Sequence, residues 1–140
     1  MKTLKPSTLF LFIALALFSC KTQTTDNQVT DNVASNDVQI FYFHNTKRCA
    51  TCNAVEDETK VALEMFYKDR MTAGTMEFTS LNLEDDKGKE MAKSLSVSGQ
   101  TLLITRGDTH VNLTNEGFMN ARTNPTKFHE ILKTQIDKLL

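Results

Sequence analysis

Val38-Gln39-Ile40-Phe41-Tyr42-Phe43, then His44-Asn45-Thr46-Lys47-Arg48, then Cys49-Ala50-Thr51-Cys52 read in succession as a strand, a loop and a dithiol. Residues 38–43 are β-branched and aromatic with little polar interruption, which predicts a strand buried on both faces of a sheet. The two cysteines follow a polar loop and open a long helical pattern, so Cys49 is expected at or near a helix N-terminus. Unpaired N–H groups and the macrodipole favour a thiolate there, and Lys47 and Arg48 add positive charge beside it. A cysteine pKa of about 8.5 falls toward or below neutrality in such a motif. Cys49 is then the attacking thiolate. Cys52, one helical turn further in, is placed to resolve a mixed disulfide by attacking the sulfur of Cys49.

Two cysteines at this spacing also fit a packing pair or half of a metal site. Zinc takes about four ligands, and a second Cys/His pair at ligand spacing is missing; His44, His110 and His129 stand singly. The alternative kept open is a metal or metalloid site in which Cys49 and Cys52 hold a thiophilic ion such as copper(I) or arsenite. The redox reading calls for no cofactor beyond the two sulfurs.

Downstream, residues 53–70 carry apolar Val55, Ala62, Met65 and Phe66, with Glu56, Asp57, Glu58, Lys60, Glu64, Lys68 and Asp69 assigned to the other faces. This predicts a surface helix whose apolar stripe lies on a sheet. Ala73-Gly74-Thr75 ends it, and residues 76–83 alternate as a second strand, parallel to the first because a helix crosses between them. Glu84-Asp85-Asp86 opens a second helix over 87–95, with Met91, Ala92 and Leu95 on one face; the acids suit a helix start, and calcium-loop spacing is absent. After the turn Val97-Ser98-Gly99-Gln100-Thr101, residues 102–105 form a third strand and Arg106-Gly107-Asp108 turns the chain into a fourth over 110–113. Residues 114–124 read as a loop with one helical turn. Pro125 then starts a closing helix, with Phe128, Ile131, Leu132, Ile136 and Leu139 at helical spacing. The order is β-α-β-α-β-β-α.

The amino terminus is a different kind of sequence. Lys2 and Lys5 precede an apolar run over residues 9–18, and Leu17-Phe18-Ser19-Cys20 places a small residue just before a cysteine. This reads as a bacterial lipoprotein signal peptide at 1–19, with Cys20 as the lipidated residue. The run is too short to span a hydrocarbon layer of about 30 Å as a helix. Residues 20–37, dominated by Thr, Asn, Asp and Gln, read as a lipid anchor followed by a disordered tether, which leaves 38–140 as a single small domain. Removing Lys2 and Lys5 leaves fourteen of the sixteen basic residues against seventeen acids, a formal charge of −3. Such a balance gives no reason to expect nucleic acid as a partner. The expected location is the bacterial cell envelope facing the periplasm, where a disulfide persists and a protein thiol or disulfide is the natural partner.

The element order, with Cys49 and Cys52 at the first helix and a turn then strand at Val97-Ser98-Gly99-Gln100-Thr101-Leu102-Leu103, resembles the thioredoxin-like superfamily across residues 38–140. The resemblance implies an α/β fold of three layers, a mixed central sheet with helices on both faces. It also implies a thiol–disulfide oxidoreductase with Gln100 and Thr101 at the substrate-binding segment. Tyr42-Phe43-His44, Arg48 to Cys52, residues 97–101 and Ala121-Arg122-Thr123-Asn124-Pro125 further resemble small bacterial lipoproteins associated with arsenic-resistance operons and named nitrophenyl compound nitroreductase subunits. That narrower likeness implies an electron-delivering or auxiliary subunit.

Three positions depart from thioredoxin. Arg48 and Ala50-Thr51 stand where thioredoxin has tryptophan and Gly-Pro. Phe43 occupies the place of the family's buried acid, leaving Glu56 or His44 as the base nearest in sequence. Thr101 replaces the family's cis-proline, so the Gln100–Thr101 bond is expected to be trans.

Overall fold

The structure, a computed structural model, describes residues 37–140. The signal peptide at 1–19, the lipidation site at Cys20 and all of the 20–37 tether except Asp37 lie outside the described residues. Strand β1 (Val38–His44) is central. It pairs in parallel with β2 (Met76–Asn82) on one side and antiparallel with β3 (Thr101–Arg106) on the other, and β3 continues antiparallel into β4 (Thr109–Asn112), giving the order β2-β1-β3-β4. Between these run helices α1 (Ala50–Thr72) and α2 (Asp86–Ser94), and α3 (Thr114–Asn120) and α4 (Pro125–Asp137) follow β4.

The alternation of β1 explains the layers. Val38, Ile40 and Tyr42 face one apolar cluster with α1, α3 and α4 residues such as Val55, Leu63 and Phe128, whereas Phe41 and Phe43 face a second with Leu81, Met91 and Leu95. Six consecutive buried residues in β1 follow from this two-sided cover. The result is the mixed α/β, three-layer arrangement expected of a thioredoxin-like chain. Among the described residues, no helix is long and apolar enough to cross a membrane.

Two elements differ from the sequence expectation. The buried face of α1 is Cys52, Val55, Glu56, Thr59, Ala62, Leu63 and Tyr67, while Met65 and Phe66 are 60% and 37% exposed. The buried set keeps the three-and-four spacing of a helix, but two of its members are polar, so a stripe drawn through apolar residues alone is rotated away from it. Thr59 satisfies its hydroxyl on the Val55 carbonyl at 2.6 Å, and Glu56 through partners described below. The second difference is α3, a short helix where a loop with one turn was expected. Asn112 Oδ1 accepts from both the backbone N–H and the hydroxyl of Thr114, 3.0 and 2.6 Å away. Gly117 lets the short helix lie close to α1, since a Cβ there would stand 3.2 Å from Val55 Cγ1. Few apolar residues are needed when the backbone itself makes the contact.

Helix α1 is not straight. Tyr67 leaves helical geometry at φ −133° and ψ 19°, and its hydroxyl donates to Asp137 Oδ1 at 2.6 Å on α4. His129 Nε2, 2.7 Å from Glu58 Oε2, ties α4 to α1 nearer the dithiol. On the other face, α2 crosses the end of β2 so closely that a Cβ on Gly88 would meet the Asn82 carbonyl oxygen at 1.8 Å, and only glycine fits there. These contacts tie α1 to α4 on one face of the sheet and α2 to β2 on the other.

Candidate active site

Strand β1 ends at His44, and residues 45–48 carry the chain to α1. Cys49 is the N-cap of α1, in extended backbone geometry at φ −81° and ψ 165°, and its Sγ accepts the Cys52 N–H at 3.1 Å. The helix therefore presents an unpaired backbone donor to the cysteine sulfur. No carboxylate lies in the first turn to offset the positive end of the dipole. Cys49 and Cys52 are joined in a disulfide, with Cα atoms 5.0 Å apart. Cys49 is exposed, whereas Cys52 is buried at 3%.

Behind the pair lies a polar group enclosed by α1, β1 and β2. Tyr42, fully buried, donates its hydroxyl to the Cys52 carbonyl at 3.0 Å. Arg48 sits over the Tyr42 ring with its guanidinium carbon 5.5 Å from the centroid. Arg48 Nη2 reaches Glu56 Oε2 at 2.5 Å and lies 3.4 Å from the Cys52 carbonyl oxygen. Glu56 also accepts from Lys60 Nζ at 2.5 Å and from Ser80 Oγ at 3.0 Å. Arg48 Nε is buried without a hydrogen-bond partner among the described residues, and so is Gln100 Oε1; an unsatisfied buried group of this kind costs about 1–3 kcal/mol.

The charges on these groups follow from their surroundings. Burial pushes the Tyr42 hydroxyl up, although Arg48 pulls the other way, so it stays a donor. For Glu56 burial alone would raise the carboxyl, but hydrogen bonds from Lys60, Arg48 and Ser80, with the Arg48 charge, outweigh it and hold the pKa below the ordinary glutamate value. The unfolded chain therefore takes up this proton first on acidification. Stability contributed by the Glu56 cluster is complete at neutral pH and is lost as the pH falls through the carboxylate range. Urea unfolding between about pH 6 and pH 3 is expected to show a falling midpoint that is flatter in Glu56→Gln; equal slopes would contradict the assignment.

The Gln100–Thr101 segment lies at the same end of the sheet as the dithiol loop, because Thr101 pairs with Phe43 next to the end of β1. The bond between Gln100 and Thr101 is trans, like every peptide bond among the described residues. Thr101 is buried at 6%, and its hydroxyl donates to the Gly99 carbonyl at 3.1 Å. His44 Nδ1 is 3.0 Å from the Asn45 carbonyl oxygen in the loop. Among the described residues no group of three His, Cys, Asp or Glu side chains is placed to hold a metal ion.

The chain is similar to thioredoxins among solved structures. Fasciola hepatica thioredoxin matches at 17% identity and TM-score 0.43, over 71% of this chain and 82% of that one. Chlamydomonas reinhardtii thioredoxin f2 matches at 16% identity and TM-score 0.37, over 61% and 75%. A structure described as a malarial protein matches at 22% identity and TM-score 0.39, over 54% and 75%. No protein-family model and no curated protein matches the chain. The likeness is partial, and the chemistry rests on the chain's own residues. An exposed and a buried cysteine, bridged at a helix N-terminus beside a mixed sheet, make a site of the thiol–disulfide oxidoreductase kind.

The sequence singles out Cys49, Cys52 and Glu56, and the structure sets Tyr42, Lys60 and Ser80 around them. The signals were present in part. Tyr42 shares the parity of Val38 and Ile40, which face α1, and Cys52, Glu56 and Lys60 follow one another at i,i+4. Ser80 announces itself only through the parallel register that sets it opposite Tyr42.

Proposed function

We propose that the chain is a membrane-tethered thiol–disulfide oxidoreductase of the bacterial cell envelope, with Cys49 as nucleophile and Cys52 as resolving thiol. The observation that carries this is the asymmetry of burial, an accessible Cys49 at the helix N-terminus and a Cys52 at 3% exposure behind it. A partner disulfide reaches only the first sulfur, and the second reaches only the first.

In the reducing direction, the Cys49 thiolate attacks one sulfur of the partner disulfide and expels the other as a thiolate, forming a mixed disulfide. Cys52, deprotonated, then attacks Cys49 Sγ, restores the intramolecular disulfide and expels the partner's second thiolate. Two electrons leave the dithiol, and the partner gains two thiols. A donor dithiol in the envelope resets the pair, and the reverse sequence oxidises a partner. The Gln100–Thr101 segment, at the same end of the sheet, receives the partner's chain near the sulfurs. The Leu17-Phe18-Ser19-Cys20 sequence supports a lipid anchor at Cys20 as the tether.

Equilibration of the full chain with glutathione mixtures tests the reading. One two-electron transition is expected, and its midpoint gives the direction of use, near about −270 mV for a reductant and near about −120 mV for an oxidant. Absence of a Cys49–Cys52 transition at every ratio overturns the redox reading, and titration with copper(I) or arsenite then becomes the relevant measurement.

A further inference from the structure

The buried stripe of α1 contains one carboxylate, and three elements of the fold converge on it. Arg48 comes from the loop before the helix, Lys60 from the helix itself and Ser80 from β2. Tyr42 of β1 completes the surroundings as a neutral hydroxyl under the Arg48 guanidinium. Arg48 is next to Cys49 in sequence, and its guanidinium lies beside the Cys52 carbonyl in space, so its cation sits at the dithiol turn. Its Nε has no hydrogen-bond partner among the described residues, so the guanidinium is not held by saturation of its own donors. The Tyr42 ring, the Cys52 carbonyl and Glu56 hold it, and the 2.5 Å contact with Glu56 is the one that offsets its charge.

We propose that Glu56 is a positioning residue that tunes the reduction potential of the Cys49–Cys52 pair through Arg48. This rests on the oxidoreductase reading above. Reduction adds two electrons, breaks the S–S bond and, with one proton taken up at Cys52, leaves a negative charge on Cys49 that the disulfide does not carry. The Arg48 cation stabilises that charge. Glu56 opposes it, both by its own charge and by neutralising Arg48, so it makes the pair more reducing than a dithiol beside a free arginine. The effect is electrostatic, because a carboxylate held by two cations and a hydroxyl is a weak proton acceptor.

The test compares the full chain with Glu56→Gln, Arg48→Gln and Lys60→Met in glutathione equilibration, together with the pH midpoint of alkylation read on the Cys49 peptide. Glu56→Gln is expected to shift the equilibrium about tenfold toward the dithiol, roughly 30 mV upward, and to lower the alkylation midpoint. Arg48→Gln is expected to move both readouts the opposite way. Lys60→Met follows Arg48→Gln by a smaller amount, because the Lys60 side chain is 52% exposed and its charge is screened. A merely structural ion pair lowers stability in the variants and leaves both readouts at the wild-type values, and that result overturns the proposal. Shifts of the same sign in Glu56→Gln and Arg48→Gln overturn it too. If Glu56→Gln does not fold, the ordered shifts of Arg48→Gln and Lys60→Met decide the matter. A wild type that never equilibrates sinks the oxidoreductase reading and this one with it, whereas a normal wild type with unmoved variants sinks only the tuning.

Discussion

Cys49→Ser is expected to abolish thiol–disulfide exchange, and Cys52→Ser to stop it at a stable mixed disulfide with one partner molecule on Cys49. The two variants differ because the sulfurs differ in access. Serine at position 49 replaces the thiolate that the helix N-terminus stabilises with a hydroxyl that stays protonated at neutral pH, so no attack begins. Serine at position 52 leaves the exposed nucleophile intact and removes only the group that would release the partner. Incubation with glutathione disulfide, followed by mass measurement under non-reducing conditions, reads both outcomes. Residual exchange in Cys49→Ser, or a mixed disulfide that forms on residue 52 in that variant, would reverse the assignment of roles. Turnover by Cys52→Ser at the wild-type rate would mean that the second sulfur resolves nothing.

The fold was legible where a single periodicity ruled. In β1 a run of apolar residues with a dithiol immediately beyond it fixed a two-sided central strand, and the helix that followed required β2 to be parallel. The Gly107-Asp108 turn, with Gly107 at φ +53°, placed the β3–β4 hairpin. Helix α1 was legible as a helix but not in its orientation. Met65 and Phe66 suggested one face, and the packed face includes Glu56 and Thr59, polar residues whose burial depends on partners from β2 and from the helix backbone. Composition assigns such residues to solvent; only tertiary contacts bring them in.

The same limit applied to the site. Local sequence gave the dithiol, the helix start and the basic residues beside it, because all of these are neighbours along the chain. It gave Arg48 as a charge acting on Cys49, yet the structure turns that guanidinium onto Glu56 and the Tyr42 ring. The link from Glu56 to Ser80 spans twenty-four positions and requires the register of two parallel strands as well as the rotation of α1. Read along the chain, Glu56 is a carboxylate one turn beyond Cys52, near enough in sequence to serve as a base. The contacts hold its carboxyl below the ordinary glutamate range, an effect of Lys60, Arg48 and Ser80 that no local reading of the helix supplies.

Phe43→Asp is expected to destabilise the protein severely. Phe43 is fully buried in the cluster on the α2 side of the sheet, with its ring centroid 6.1 Å from that of Phe41. The two cations paired with the buried carboxylate Glu56, Arg48 and Lys60, are engaged with it on the α1 side. Loss of the ring alone costs about 3–5 kcal/mol, and a carboxyl without partners adds about 1–3 kcal/mol, against a total stability of roughly 5–15 kcal/mol for a domain. Phe43→Leu, which keeps an apolar group, separates the two contributions and is expected to lose far less. Burial raises the pKa of the new carboxyl above its unfolded value, so the excess penalty is greatest above the folded pKa and shrinks as the pH falls through it. Urea unfolding of both variants across the acid range measures that difference directly. If Phe43→Asp lies within about 1 kcal/mol of Phe43→Leu at neutral pH, the position has access to water or a cation, and the packing assigned to it is wrong. If the gap is large and closes on acidification, position 43 is sealed from water and cations, and the buried carboxylate among the described residues, Glu56, stays on the opposite face of the sheet from it.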